Sequence, residues 1–340
     1  MHPKAAAWTA VFALAALSLC VPAPAQEANK TSERKKLDTK DIPGLLWRDP
    51  GDVASLNMQY GAGGSEHQPQ GKLKFLEEDM KGTNPKFDAE DEQGIRWRVK
   101  MGSEARPETV ATRLLWAAGY FVDEDYYLPV VQVEGMKALK RGQKYVSPDG
   151  TVQGARLKRH IKGEKKAGNW SWFNNRFEGT RELNGLRVMM ALINNWDLTE
   201  SNNKIYTHEK SGEARYVVSD LGASFGKTGA YQSRSKGKVE DYRRTQFIKQ
   251  VQEDYVDFNL HSRPLFPVAI FNPHAYRERT DVEKIVQHIP RADAKWIGQR
   301  LALLSHEQIR DCFRVGGYSR EEAEDFAQVV EKRIAELNRL

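Results

Sequence analysis

Hydrophobic positions along the chain follow two periods. From residue 72 they alternate. Residues 72–78, 86–90 and 95–101 read as three successive strands, separated by turns at 80–85 and 92–94. Residues 126–133 and 152–161 read as two more strands. Over 107–121 the period becomes helical. Val110, Leu114, Ala117 and Ala118 form one stripe, Pro107 suits the first turn, and Gly119 suits the end. A second helix is expected over 182–194, where Leu183, Leu186, Met189, Met190 and Ile193 recur at three and four. Two short strand-like runs follow, 204–207 and 215–219, joined by a polar turn at Gly212. From 282 to 340 the pattern is mainly helical. Ser319 with Glu322 makes a capping box, and Ala323, Phe326, Val330, Ile334 and Leu337 give the closing helix a buried stripe. This order predicts an α+β chain of two lobes, strand-rich over 72–165 and helical over 166–340.

The start of the chain has neither period. Residues 1–25 combine Lys4, an apolar run over 5–19 and the small-residue site Ala23-Pro24-Ala25, the pattern of a cleavable export signal. The run is shorter than the about 20 residues a spanning helix needs. The expectation is an exported chain, periplasmic or secreted, with no transmembrane span once mature. Bulky Leu19 before Cys20 argues against a lipid anchor there. Residues 26–71 read as a flexible charged arm followed by a Gly- and Gln-rich loop. Within that loop Gly61-Ala62-Gly63-Gly64 lacks the preceding strand and following helix of a phosphate loop. The mature chain keeps only Cys312, so it holds no internal disulfide.

Charge narrows the range of partners. The net charge is +6. Ten Lys and Arg residues fall between 137 and 166, against Asp149 and Glu164. Such a balance favours acidic partners, and an acidic acceptor is compatible with it. Aromatic residues follow at Trp170, Trp172 and Phe173, but no established nucleic-acid motif accompanies them, so nucleic acid is not an expected partner.

The chemistry-bearing stretch is 194–222. Asp197 lies just past an apolar helix, Asn202 five residues on, and Asp220-Leu221-Gly222 at the far end of the hairpin. A helix, D-x-x-x-x-N, a hairpin and D-x-G resemble the active-site layout of the protein-kinase-like superfamily. The small lobe adds to the likeness. Its turn Gly82-Thr83-Asn84-Pro85-Lys86-Phe87 and the tight run from Lys100 into the helix beginning at Pro107 resemble the HipA and phosphoinositide kinases. The resemblance covers about 72–226 and implies a two-lobed protein-kinase-like fold with ATP and magnesium between the lobes.

Carried over residue by residue, the resemblance makes Asp197 the base that meets an acceptor hydroxyl. Asn202 and Asp220 become the magnesium ligands. Lys100 becomes the phosphate lysine, with Glu108 as its partner. Gly82, Thr83 and Asn84 form the turn over the nucleotide phosphates. Strand alternation places Arg96 and Arg98 on the same face as Lys100, and Glu104 competes with Glu108. The stretch 223–245 takes the place of an activation segment, with Ser224, Thr228, Ser233, Ser235 and Thr245 set among basic residues.

The chain departs from the pattern in three places. Trp196 precedes Asp197, the interval from Lys100 to Glu108 is short, and no full GxGxxG is present. Export also sets a kinase apart from bacterial ATP. A eukaryotic secretory lumen would supply it, and Asn169-Trp170-Ser171 would there be a glycosylation acceptor. The expected function is phosphoryl or nucleotidyl transfer from a magnesium nucleotide to a hydroxyl acceptor. The alternatives are a kinase-fold pseudoenzyme and a basic binding module for acidic partners.

Overall fold

A computed structural model describes residues 42–228, 234–262, 270 and 273–340, with the side chains of 274–279 excepted. They belong to one compact unit, 36–340. The export signal, Cys20, the arm to residue 41 and Ser233 lie outside the described residues.

Five strands close into a barrel: β2 (Leu73–Glu78), β3 (Lys86–Glu90), β4 (Arg96–Met101), β5 (Asp125–Glu134) and β6 (Thr151–Arg159), in the order β2-β3-β4-β6-β5. Alternation sorts their side chains. Phe87, Ala89, Trp97, Val99, Met101, Ala155 and Leu157 fill the barrel. Their neighbours Arg98, Lys100, Arg156 and Lys158 therefore share the outer face, where Lys100 stands opposite Arg156 and Arg98 opposite Lys158. Helix α1 (Ala105–Ala117) follows β4 after a turn at Gly102 and packs Val110, Ala111, Leu114 and Leu115 into a second core. Thr112 and Arg113 on α1 both bond Asp125 at the start of β5, at 2.8 and 3.1 Å, which fixes the helix against the barrel.

The second core is helical. It joins α2 (Arg181–Leu192), α5 (Arg291–Leu301), α6 (His306–Val315) and α7 (Arg320–Asn338), with the short α3 (Val239–Arg243) and with α4 (Pro273–Lys284) preceding α5. A four-stranded sheet lies beside it in the order β1-β9-β8-β7. Its members are β1 (Gly44–Leu45), β7 (Glu164–Gly168), β8 (Asn203–His208) and β9 (Ala214–Val218). A small sheet of β10 (Ile248–Val251), β11 (Tyr255–Phe258) and β12 (Ile289–Pro290) completes the described elements. The α+β class is met, strand-rich first and helix-rich after.

The start of the described chain differs from the expected loose loop. Strand β1 pairs in parallel with β9, and Leu46, Val53 and Met58 are buried in the helical core. These apolar residues are isolated, with no period to announce them, and only tertiary contact orders them. Strand β7 was hidden for a related reason: it is mostly lysine and glycine, and it exists through its pairing with β8.

Candidate active site

Lys100 is almost fully buried although it lies on the outer face of β4. Its Nζ is 2.8 Å from Glu108 Oε2, 2.6 Å from Asp220 Oδ1 and 3.2 Å from Glu104 Oε2. Helix α1 delivers both glutamates, Glu108 in its first turn and Glu104 at its N-cap. Arg156, opposite Lys100 across the β4–β6 pair, bonds the other oxygen of Glu108 at 2.6 Å. Glu108 is thus clamped by two cations. Burial alone would pull Lys100 down, but Glu108 and then Asp220 outweigh it and hold the ammonium above the ordinary lysine value.

Asp220 reaches this group through the hairpin. Asn203 pairs with Val218, and the Ser219 N–H donates to the Asn202 carbonyl at 2.9 Å, so the two ends of the hairpin meet. Asp220 itself has left-handed backbone, φ +60° and ψ +56°. A non-glycine residue in that region costs about 1–3 kcal/mol, which the surrounding contacts must offset. Gly222 explains the third letter of D-x-G here. A Cβ on it would lie 2.5 Å from the Cβ of Glu104, so only glycine lets this turn press against the start of α1.

Asp197 sits on a tied loop. Its N–H donates to Asn195 Oδ1 at 3.0 Å, and its carbonyl accepts from Asn202 Nδ2 at 3.3 Å. The Trp196 N–H donates to the Ala223 carbonyl at 3.3 Å, joining this loop to the Asp220 turn. Burial raises the Asp197 carboxyl above the ordinary aspartate value. Asp220 and Glu104 add to the rise, and Arg234 and Lys236 oppose it. Two carboxylates of the Lys100 cluster, Asp220 and Glu104, therefore act on this group.

The turn over β2 and β3 is only partly joined to this site. Asn84 Nδ2 bonds Glu104 Oε2 at 2.5 Å. Gly82 and Thr83 are exposed at the tip, where Arg141 holds the Gly82 carbonyl. Among the described residues, Asn84 is the member of the three brought to the cluster. Arg98 is engaged elsewhere, with Asp88 at 2.9 Å and Asp79 at 3.2 Å, and does not take the place of Lys100. Asn202 stands beside Asp220 in the chain path, with its amide nitrogen as the engaged end.

Three further residues belong to the cluster. Glu104 is a full member beside Glu108 rather than its rival. Arg156 enters through strand register, which single-strand periodicity does not reveal. Lys236, from the segment after the D-x-G turn, pairs with Glu104. Carboxylate oxygens of Glu104, Glu108 and Asp220 lie within 4.8 Å of one another. Lys100 and Arg156 already hold Glu108, so of these oxygens those of Asp220 and Glu104 are the ones that suit a hard divalent cation such as magnesium. The Asp220 side chain is 45% exposed, so the set opens outward. A cavity of about 240 Å³ lined by Trp116, Phe121, Asp123, Glu164, Tyr206 and Arg215 lies apart, and neither Lys100, Asp197 nor Asp220 lines it.

No family model matches the chain, and no curated protein matches it. Among solved structures it is similar to the Helicobacter pylori proinflammatory kinase CtkA, at 10% identity over 79% of this chain and 98% of that one, TM-score 0.45. It is also similar to the Golgi casein kinase, at 10% identity over 80% and 73%, TM-score 0.37. A third likeness is to the amicoumacin kinase hAmiN, at 13% identity over 79% and 90%, TM-score 0.23. At these scores no residue's role follows from the likeness.

Proposed function

We propose that the chain is an exported, protein-kinase-like phosphotransferase that moves a phosphoryl group from a magnesium nucleotide, ATP in the first instance, to a hydroxyl acceptor. The observation that carries this reading is the buried Lys100 held between Glu108 and Asp220, with Asp220 also acting on Asp197. Phosphoryl transfer needs positioning and charge neutralisation more than covalent chemistry, and these groups supply both. Asp220, Asn202 and Glu104 are the oxygen donors that would hold magnesium, which neutralises phosphate charge when bound.

The chain's own residues divide the work. Lys100 offers its ammonium to donor phosphate oxygens, and Glu108 with Arg156 keeps it aimed. Asp197 accepts the acceptor hydroxyl's proton as the oxygen attacks. Its pKa, raised by burial and by Asp220 and Glu104, makes it a better base than an exposed aspartate. Asn202 fixes the Asp197 loop through its amide.

The direct test incubates the purified protein with magnesium and ATP and follows ADP release with a panel of hydroxyl acceptors. Asp197→Asn should cut transfer on the order of a hundredfold or more and leave nucleotide binding nearly intact. Wild-type protein that neither binds nucleotide nor transfers to any acceptor would refute the reading. Export rests on the sequence of residues 1–25, and the mass of the mature protein tests it: a chain starting at Gln26 is expected.

A further inference from the structure

The segment after the Asp220 turn doubles back beside Asp197. Ser235 N–H donates to the Lys227 carbonyl at 2.9 Å, and Lys227 N–H donates to Ser235 Oγ at 2.9 Å. Gly237 and Lys238 bond the carbonyls of Ser224 and Phe225, at 2.9 and 2.8 Å. Thr228 and Arg234 form an antiparallel bridge. A Cβ on Gly226 would meet the Ser235 carbonyl at 2.1 Å, so a glycine is what lets the two runs lie this close. The backbone carrying Arg234 and Lys236 is therefore built rather than loosely draped.

Both cations stand over Trp196, the residue before Asp197. Arg234 Cζ is 5.0 Å and Lys236 Nζ 5.4 Å from the indole ring, and the indole N–H donates to the Ser235 carbonyl at 3.2 Å. Stacking on an aromatic face holds a cation without neutralising it. Lys236 is taken by Glu104. Arg234 is exposed, and among the described residues no carboxylate pairs with it, although its charge reaches Asp197. Asp220, Glu104, Arg234 and Lys236 all act on Asp197, and of the two cations Arg234 is the one left outside an ion pair among the described residues.

The geometry points to an acceptor subsite for an anionic group, formed by Arg234 on Trp196. This deepens the phosphotransfer reading and rests on it: the acceptor is a hydroxyl compound with a carboxylate or other anion close to the hydroxyl that Asp197 receives. Guanidinium and carboxylate match as a two-point, charge-assisted pair. A cationic neighbour at the same place would be repelled, so the subsite selects in both directions.

The test reads binding and transfer separately. The probes are three peptides with a central serine flanked by glutamate, alanine or lysine, together with glucuronate against glucose. Binding is measured with magnesium and a non-hydrolysable ATP analogue, and transfer with magnesium and ATP. The acidic member of at least one set should bind and accept about fivefold better than its neutral member, the scale of an exposed ion pair. Arg234→Glu should reverse that order and Arg234→Lys should keep it. Preference confined to the peptides assigns a polypeptide acceptor, and preference confined to glucuronate assigns a small molecule. Equal binding within both sets, or an order that Arg234→Glu leaves unchanged, overturns the inference. Acidic preference in binding with no transfer keeps the subsite and removes the phosphotransfer reading, whereas transfer without charge preference does the opposite.

Discussion

Asp197 and Lys100 show how one site sets two pKa values in opposite senses to the cost of burial. For Lys100 the neighbouring carboxylates outweigh burial, and the ammonium is retained. For Asp197 burial and the like charges of Asp220 and Glu104 act together, and the carboxyl is raised. A carboxyl raised in the folded state binds its proton more tightly there than in the unfolded chain. Between the ordinary aspartate value and the raised one, stability therefore falls as pH rises. Asp197→Asn removes this penalty, so at neutral pH its melting temperature should be higher than wild type while transfer is lost; calorimetry and a transfer assay check the two halves. The acid limb of kcat/KM should lie above the ordinary aspartate range, and Asp220→Asn should shift whatever activity it retains to lower pH. Lys100→Met should behave differently again. It leaves Glu108 buried with Arg156 alone, removes the lysine from Asp220 and leaves Glu104 to Lys236, a loss of about 3–5 kcal/mol in denaturant unfolding on the scale of broken buried pairs.

At the scale of elements, the site depends on where helix α2 ends, and a residue far along the chain holds that end. Arg333 of α7 is buried, yet among the described residues its hydrogen bonds go to oxygens of the backbone and a hydroxyl: the carbonyls of Ala191, Leu192, Tyr242 and Thr245, and Thr245 Oγ1 at 2.6 Å. Tyr242 stacks on its guanidinium at 4.0 Å. The carbonyls at the C-terminal end of a helix are the negative pole of its dipole, which suits a buried cation. Arg333→Met should lower stability by about 1–3 kcal/mol through the carbonyls it strands. The same variant should reduce transfer beyond what the stability loss explains, because Asp197 stands five residues past α2. Activity measured well below the melting temperature separates the two effects.

How legible these elements were follows from what made them. Strands β2 to β6 and helices α1, α2 and α7 carry their own period, and the sequence marks most of their ends within a residue or two, capping box included, though α1 stops at Ala117, short of the expected 121. Strands β1, β7 and β10 to β12 carry none, since they are short or polar and form only through their partners. Asp197, Asn202 and Asp220 were legible because a hairpin of fixed spacing links them. Arg156 and Lys236 were not, because register and a doubled-back loop bring them in. The segment 223–245 also reads as an open loop in sequence. Its described part is bonded, with Ser224 and Thr245 buried and therefore closed to modification.

On the scale of the whole molecule, the candidate site draws on both cores. Lys100 comes from the barrel. Glu104 and Glu108 come from the helix packed between barrel and helical core, and Asp197 and Asp220 from loops anchored in the helical core. A ligand that engages all of them links the two cores and must stabilise the chain as a unit. At about a hundred times its dissociation constant such a ligand adds about 2.7 kcal/mol. For a chain of this size that is a rise of several degrees in melting temperature. The prediction is that magnesium with a non-hydrolysable ATP analogue produces this rise, and that neither component alone does so fully. Asp197→Asn should keep the rise, since its role is toward the acceptor. Asp220→Asn should lose its magnesium-dependent part, since it gives up a charged oxygen of the donor set. Surface charge gives the control. Nucleotide held only by the net charge of +6 would be released by raising salt and would ignore magnesium. A shift that survives high salt, requires magnesium and vanishes in Asp220→Asn places binding at the Lys100 cluster. A shift indifferent to Asp220 would move it elsewhere on the basic surface.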